Sequence, residues 1–211
     1  MRAVQESVNL PAGQRFTQPT RPCSRRNSMS QTLYDIALKS IDGRATSLAA
    51  YRGKVLLVVN VASRCGLTPQ YSGLEKLYQD RHAHGLEVLG FPANNFKGQE
   101  PGTDDEIASF CATSYDVHFP LFSKVSVVGE DQHPLYAQLV QAQPRATGEG
   151  PFRERLKGYG VHPKNHADVL WNFEKFLIGR NGEVVGRFSP DVTAEDSRLL
   201  AAVDAELTKT A

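Results

Sequence analysis

The sequence predicts an α/β protein, in which a central mixed β-sheet carries helices on both faces and is entered through an N-terminal β-hairpin. Three observations support that class. Lys54 to Ala62 is a continuous β-branched and apolar run, the pattern of a strand buried on both faces. Segments of helical period alternate with such strands, which implies helices packed on a sheet. Turn signals at Asp42-Gly43 and at Arg180-Asn181-Gly182 each divide a pair of short strand-like segments.

The elements follow in order. Leu33 to Ile36 and Ala45 to Leu48 flank Asp42-Gly43 and read as the two strands of the first hairpin. The buried run at 54–62 comes next. Pro69 to His82 then reads as a helix with Leu74, Leu77 and Tyr78 on one face, ended by Gly85. Leu86 to Phe91 is a second buried strand, and a loop runs from Pro92 to Gly102. Thr103 and Glu106 have the spacing of a capping box, opening a helix whose apolar face includes Ile107, Phe110 and Cys111. A strand near Leu121 to Val128 and a helix from about His133 to Gln141 follow. Gln143 to Leu170 is rich in Gly, Pro and charge and reads as a long irregular stretch, of the kind that is usually functional or disordered. Glu174 to Ile178 and Glu183 to Phe188 form a second hairpin. Ala194 to Leu207 closes the chain as an amphipathic helix carrying Leu199, Leu200 and Val203.

The chain divides into a basic tail, residues 1–28, and one domain, residues 29–211. The tail holds Arg2, Arg15, Arg21, Arg25 and Arg26 against the single acid Glu6, and Pro11, Pro19 and Pro22 interrupt it. Such a segment buries too little surface to order itself. Its acid-poor, Arg- and Ser-containing composition also suits a transit peptide, and Met29 offers an alternative start.

Bulk properties exclude several classes. A formal net charge of +1 gives no electrostatic basis for binding nucleic acid or anionic membrane. No apolar run approaches the length of a membrane span. Three scattered cysteines, Cys23, Cys65 and Cys111, do not make a secreted disulfide scaffold, and no Cys/His spacing suits zinc. A reducing, cytoplasmic setting with one or two working thiols is expected, with no metal and no cofactor.

Cys65 has the position that matters most. It follows the buried strand and precedes a helix, where open α/β sheets place their sites. Free backbone N–H groups and the helix dipole favour a thiolate there. Arg64 stands beside it, aimed either at the thiol or at solvent. Two further blocks are polar and sharply turned: Gly98-Gln99-Glu100-Pro101-Gly102, and Trp171-Asn172-Phe173-Glu174-Lys175-Phe176, which contains the only tryptophan. Each block alone suits a plain turn or core segment.

Taken together with Asn60 to Thr68 and with Phe119 to Val125, these blocks resemble the glutathione peroxidase family, most closely its cysteine-containing, non-selenium bacterial branch. The resemblance runs from about Leu33 to the C-terminus. It implies a thioredoxin-like fold, a thiol peroxidase activity, and a catalytic tetrad at Cys65, Gln99, Trp171 and Asn172. Thr68 stands where a thioredoxin has the second cysteine of its dithiol pair, so dithiol exchange at that turn is excluded. Cys111 matches the resolving cysteine of thioredoxin-dependent members, while Ala93 replaces another cysteine often seen in the family. The resemblance therefore implies peroxides as substrates, Cys65 as the attacking thiol, resolution by Cys111 and reduction by thioredoxin. Two alternatives stay open: a one-cysteine enzyme reduced by glutathione, and a redox relay that passes a disulfide to a partner protein. Arg145, Arg153, Arg155 and Lys157, in the long stretch before Leu170, read as a solvated basic loop, or as contacts for an anionic substrate such as glutathione.

The tetrad also makes physical sense. A thiolate attacking a peroxide oxygen needs donors that stabilise its charge without neutralising it. The amides of Gln99 and Asn172 and the indole N–H of Trp171 are uncharged donors of that kind.

Overall fold

The computed structural model describes residues 32–210. The expected basic tail, and Cys23 within it, lie outside the described residues. Four strands form the main sheet in the order β4-β3-β5-β6. They are β3 (Val55–Val61), β4 (Leu86–Pro92), β5 (Lys175–Ile178) and β6 (Val184–Phe188). β3 pairs parallel with β4 and antiparallel with β5, and β5 pairs antiparallel with β6, so the sheet is mixed.

β3 is buried along its whole length, as its unbroken apolar run requires. Val55, Leu57, Val59 and Val61 face one hydrophobic cluster, together with Tyr71 and Leu74 of α1 (Gln70–Arg81), Ile107 and Cys111 of α2 (Asp104–Tyr115), and Leu199 and Val203 of α5 (Ser197–Leu207). Leu56 and Val58 face the opposite cluster, which holds Leu135, Tyr136 and Leu139 of α3 (Pro134–Ala142) and Leu33, Tyr34 and Ile36 from the start of the domain. The period-2 alternation of one strand thus divides the core into two layers. The helices on both faces and the mixed sheet agree with the sequence reading.

The structure corrects the reading at three places. The first hairpin exists, but its strands are β1 (Leu38–Lys39) and β2 (Ala45–Thr46), which form a separate two-stranded sheet. Leu33–Asp35 and Leu48–Tyr51 are instead 3₁₀ turns. Local side-chain bonds account for both: Thr32 and Asp35 cap each other, and Ser47 Oγ accepts the Ala49 N–H. Secondly, 121–128 is not a strand. Only single bridges form, Leu121 with Gly90 and Phe122 with Ser40. Beyond them the backbone donors alternate between scattered carbonyls and side chains, with Ser123 N–H donating to the Lys39 carbonyl and Val125 N–H to the Pro92 carbonyl, and with Asp104 accepting from Lys124 N–H and Asn95 from Val127 N–H.

The third correction concerns 143–170, which is not wholly irregular. It contains a helix, α4 (Glu149–Gly158). Phe152 and Leu156, one turn apart, are buried against Leu170, with Leu67 and Trp171 packed on the same small cluster. Gly148, Gly150, Pro151 and Gly158 mask that helix in a propensity reading, and it is stabilised through tertiary burial of its apolar face. The basic residues Arg153, Arg155 and Lys157 are therefore helical, and Arg153 is held by Glu149 and the His166 carbonyl rather than solvated in a loop.

Candidate active site

The sheet order brings three chain segments to one edge. β3 and β4 run parallel, so both leave at their carboxyl ends there, and β5 runs antiparallel, so it enters there. The turn after β3 carries Cys65, the loop after β4 carries Gln99, and the turn before β5 carries Trp171 and Asn172.

Cys65 lies in a tight turn that separates β3 from α1. Thr68 Oγ1 donates to the Ala62 carbonyl at 2.8 Å and accepts the Cys65 N–H at 3.0 Å, fixing the turn from inside. The hydroxyl therefore has a structural role at the position where a dithiol motif has its second sulfur. The Cys65 sulfur is largely buried and accepts the Leu67 N–H at 3.3 Å. Its backbone donor is thus in the turn itself, and α1 begins at Gln70, so Cys65 stands just before the helix, within the expected placement at or just before its N-terminus. Arg64 is exposed and lines a different hollow with Glu106 and Phe110, so it does not face the thiol.

The Gln99 loop is tied to this turn twice. Arg64 N–H donates to the Gln99 carbonyl at 3.0 Å, and Ser63 Oγ donates to Glu100 Oε1. Glu100 is fully buried, its other oxygen has no hydrogen-bond partner among the described residues, and burial raises its carboxyl above the usual range against the lowering effect of the Ser63 bond.

Asn60 of β3 organises the third segment. Its Nδ2 donates to the Trp171 carbonyl at 3.0 Å, its Oδ1 accepts the Glu174 N–H at 3.1 Å, and its own carbonyl accepts the Phe173 N–H. Phe173 takes a left-handed backbone with φ 67°, a conformation rare for an aromatic residue and held here by full burial against Tyr71. Through that turn Asn172, fully buried, donates from Nδ2 to Gln99 Oε1 at 2.9 Å. The bond uses the acceptor of Gln99 and leaves its NH₂ available as a donor. The carbonyl of the Asn172 side chain is buried and has no hydrogen-bond partner among the described residues. Trp171 is half-buried, packs on Phe96 and shares a cavity of about 280 Å³ with Cys65.

All four residues that the sequence singled out thus meet at this edge. Sequence reasoning missed Asn60, whose side chain joins two of the segments, and it missed the apolar wall of the cavity contributed by Phe152 and Leu156 of α4, although it named Arg155 of the same helix as a possible contact for an anionic substrate. Asn60 lies inside a quoted motif, so a polar residue within an otherwise apolar buried strand was the available signal. The α4 wall had none.

Cys111 is different. It is fully buried in α2, in the same hydrophobic cluster as Cys65, and both thiols are free. Burial, aided by the charge of Glu100, pushes its thiol up to about 11, against a lowering interaction with Tyr71. Of its expected neighbours on the helix face, Ile107 is buried and Phe110 only half-buried, packed on Tyr115. Among the described residues no three His, Cys, Asp or Glu side chains gather as a metal site, and no helix is long and apolar enough to cross a membrane.

Comparison with known proteins agrees with this geometry. Residues 33–140 match the family described as glutathione peroxidase. The chain is 48% identical over 183 residues to the thioredoxin/glutathione peroxidase BtuE of Escherichia coli, covering 86% of this chain and 100% of that protein. It is 46% identical over 156 residues to the glutathione peroxidase-like peroxiredoxin gpx1 of Schizosaccharomyces pombe, covering 74% of this chain and 87% of that one. Among solved structures, Trypanosoma cruzi GPX1 superimposes with a TM-score of 0.62 at 30% identity, over 83% of this chain and 96% of that one. A thioredoxin family protein from Chlorobium tepidum shares the fold alone, with a TM-score of 0.50 at 16% identity over 82% of this chain and 92% of that one. The chain therefore has a thioredoxin-like fold and belongs to the glutathione peroxidase family, as a peroxidase.

Proposed function

We propose that this peroxidase reduces hydrogen peroxide and organic hydroperoxides through Cys65, with Gln99, Trp171 and Asn172 as its supporting donors. The observation that carries the reading is the convergence described above: Cys65 and Trp171 on one cavity, Asn172 bonded to Gln99, and the Gln99 carbonyl bonded to the residue beside Cys65. In the reaction the Cys65 thiolate attacks one peroxide oxygen and the O–O bond breaks. The departing oxygen takes a proton and leaves as water or an alcohol, and Cys65 becomes a sulfenic acid. Uncharged donors stabilise the thiolate and the charge developing on the leaving oxygen.

Cys111 is the proposed resolving thiol. It attacks the Cys65 sulfenic sulfur, water leaves, and a Cys65–Cys111 disulfide forms, which a thioredoxin dithiol in a reducing cytoplasm reduces by exchange. Cys111 is fully buried in α2 and both thiols are free, so the proposed step includes a rearrangement that brings the two Cα atoms within the distance of about 7 Å that a disulfide requires. Local unwinding of α2 after oxidation supplies that movement at less cost than global unfolding.

The test uses two variants. Cys65→Ser should abolish peroxide reduction, and near-wild-type turnover would refute the mechanism. Cys111→Ser should leave the first oxidation of Cys65 nearly as fast as in wild type, while thioredoxin-driven turnover collapses and overoxidised Cys65 accumulates. If that variant still cycles with thioredoxin and no Cys65–Cys111 peptide is found by mass spectrometry, Cys111 is a core residue and glutathione acting on the sulfenic acid becomes the preferred route.

A further inference from the structure

Glu100 stands between the two segments that carry the cysteines, and its side chain is fully inaccessible to solvent. On one side Ser63 Oγ, two residues before Cys65, donates to its Oε1. Its backbone is fixed by the Asn94 side chain, which accepts the Glu100 N–H at 2.8 Å. On the other side lies α2, whose N-cap Thr103 follows three residues later and whose buried Cys111 is within reach of the Glu100 charge. The same charge acts on Tyr71 of α1, whose buried hydroxyl has no hydrogen-bond partner among the described residues. Oε2 of Glu100 has none either. Two cations act on the carboxyl, Lys124 and Arg64, and neither forms an ion pair with it among the described residues. The Lys124 ammonium is bonded instead to the Gly102 carbonyl, and Arg64 is exposed. A buried carboxylate without a cation at contact is far more costly than a buried neutral acid with one open oxygen. Ionisation of Glu100 therefore favours any arrangement that admits water to Oε2, and departure of α2 with Cys111 is such an arrangement.

We propose that Glu100 is a positioning residue for the resolving step: as a neutral acid it keeps the start of α2 fastened to the Cys65 turn, and when it gives its proton to solvent α2 opens and Cys111 comes to Cys65. The proposal rests on Cys111 being the resolving thiol. Glu100 makes and breaks no bond to sulfur. The Cys111 sulfur bonds the Cys65 sulfur, the S–O bond of the sulfenic acid breaks, and the oxygen leaves as water with the thiol proton. Cys111 is oxidised and the sulfenic sulfur is reduced. In the closed protein a Glu100 carboxylate and a Cys111 thiolate oppose each other, so both ionise together only after they separate. Burial holds the closed-state carboxyl above its ordinary value, and opening returns it to about 4.3. Opening therefore becomes more favourable as pH rises through that ordinary value, and it stops changing once the closed-state value is passed. Burial raises the Tyr71 hydroxyl and pushes the Cys111 thiol up to about 11, so neither titrates in that interval in the closed protein.

Single-turnover kinetics on the reduced full-length protein test it. One equivalent of hydrogen peroxide is added between pH 5 and pH 8, with pH in that range set by the interval argued above. Loss of the Cys65 thiol and appearance of the Cys65–Cys111 disulfide are timed separately by alkylation and mass spectrometry. Glu100→Gln keeps the size of the side chain and the acceptor for Ser63 but cannot ionise. The ratio of wild-type to variant rates for disulfide formation should rise by about threefold to tenfold across the interval, since one proton changes an equilibrium by at most about tenfold per pH unit. The same ratio for the first oxidation should stay constant with pH. A packing defect moves both ratios without pH dependence, and the titration of Cys111 cancels between the two proteins. Hydrogen exchange of the wild type covers a variant that fails to fold. Protection of the α2 amides, corrected for intrinsic exchange, should fall as pH rises over the interval, while the α5 amides keep theirs. A resolving ratio that does not change with pH, or α2 protection that does not, would overturn the proposal. Absence of a Cys65–Cys111 peptide in the wild type would instead overturn the reading of Cys111 on which it rests, which separates the two failures.

Discussion

At the scale of single residues, the site depends on amides placed by other amides. Asn172 is fully buried and gives its N–H to Gln99, whose own NH₂ is left to donate. Replacing Gln99 or Asn172 with Ala should slow Cys65 oxidation by about tenfold to a thousandfold, the usual range for losing one preorganised donor. Stopped-flow rates within twofold of wild type for both variants would remove them from the site. Lys175, beside this cluster in sequence, presents a different case. Its ammonium is fully buried and donates to Gln70 Oε1 at 2.6 Å, to the Val192 carbonyl at 2.6 Å and to the Pro190 carbonyl at 3.1 Å. It thereby ties the first residue of α1 to the chain after β6. Burial pushes it down to about 7, against the raising effect of Glu174 and of more distant acids. In the unfolded chain a lysine keeps its ordinary value near 10.4. Between about 7 and 10 the unfolded state therefore binds more protons, and the contribution of Lys175 to stability increases as pH rises. From pH 7 to pH 9 wild type should gain about 2 kcal/mol relative to Lys175→Met. Parallel urea curves at the two pH values measure that difference, and an equal pH response in both proteins would contradict it.

The elements are joined by a buried ion pair as much as by apolar packing. Arg187 of β6 bonds Glu174 with both side chains fully inaccessible. It also donates to the carbonyls of Gln143, Ala167 and Asp168, and Glu174 accepts the Leu170 N–H. One guanidinium thus fastens both ends of the stretch that carries α4 to the sheet. Burial raises the Glu174 carboxyl, and Arg187 lowers it. Arg187→Met should destabilise the protein by about 3–5 kcal/mol, because it leaves a buried carboxyl without its partner. The double variant with Glu174→Gln should recover part of that loss. Urea unfolding of the three proteins would test it, and a single variant within about 1 kcal/mol of wild type would show that the clamp is dispensable.

For the whole molecule, the described core begins with Leu33, Tyr34 and Ile36, which are buried against β3 and α3. A chain beginning at Met29 contains all of that core. It should match the full chain in melting temperature within about 2 °C and in peroxide turnover, because the basic segment before Met29 has no sustained apolar periodicity with which to build core. A large fall in melting temperature on truncation would show that residues 1–28 belong to the folded unit.

What the sequence determined by itself is the part set by short-range rules. Periodicity located β3, β4, α1, α3 and α5, because a strand buried on both faces and a helix with one apolar face leave distinct patterns. The Thr103 and Glu106 capping box fixed the start of α2, because both of its hydrogen bonds join residues three apart. The site blocks were legible as motifs in one line of text. Tertiary structure decided how those blocks meet. Only the antiparallel placement of β5 beside β3 brings Trp171 and Asn172 to the edge where Cys65 and Gln99 emerge, and no local pattern encodes the direction of a neighbouring strand. It also decided α4, whose Gly- and Pro-containing sequence argues against a helix until Phe152 and Leu156 find Leu170 and Trp171 to pack on. A propensity deficit of a few tenths to one kcal/mol per residue is offset by burying two large apolar side chains at about 1.5–3 kcal/mol each, and that burial exists only in the folded chain.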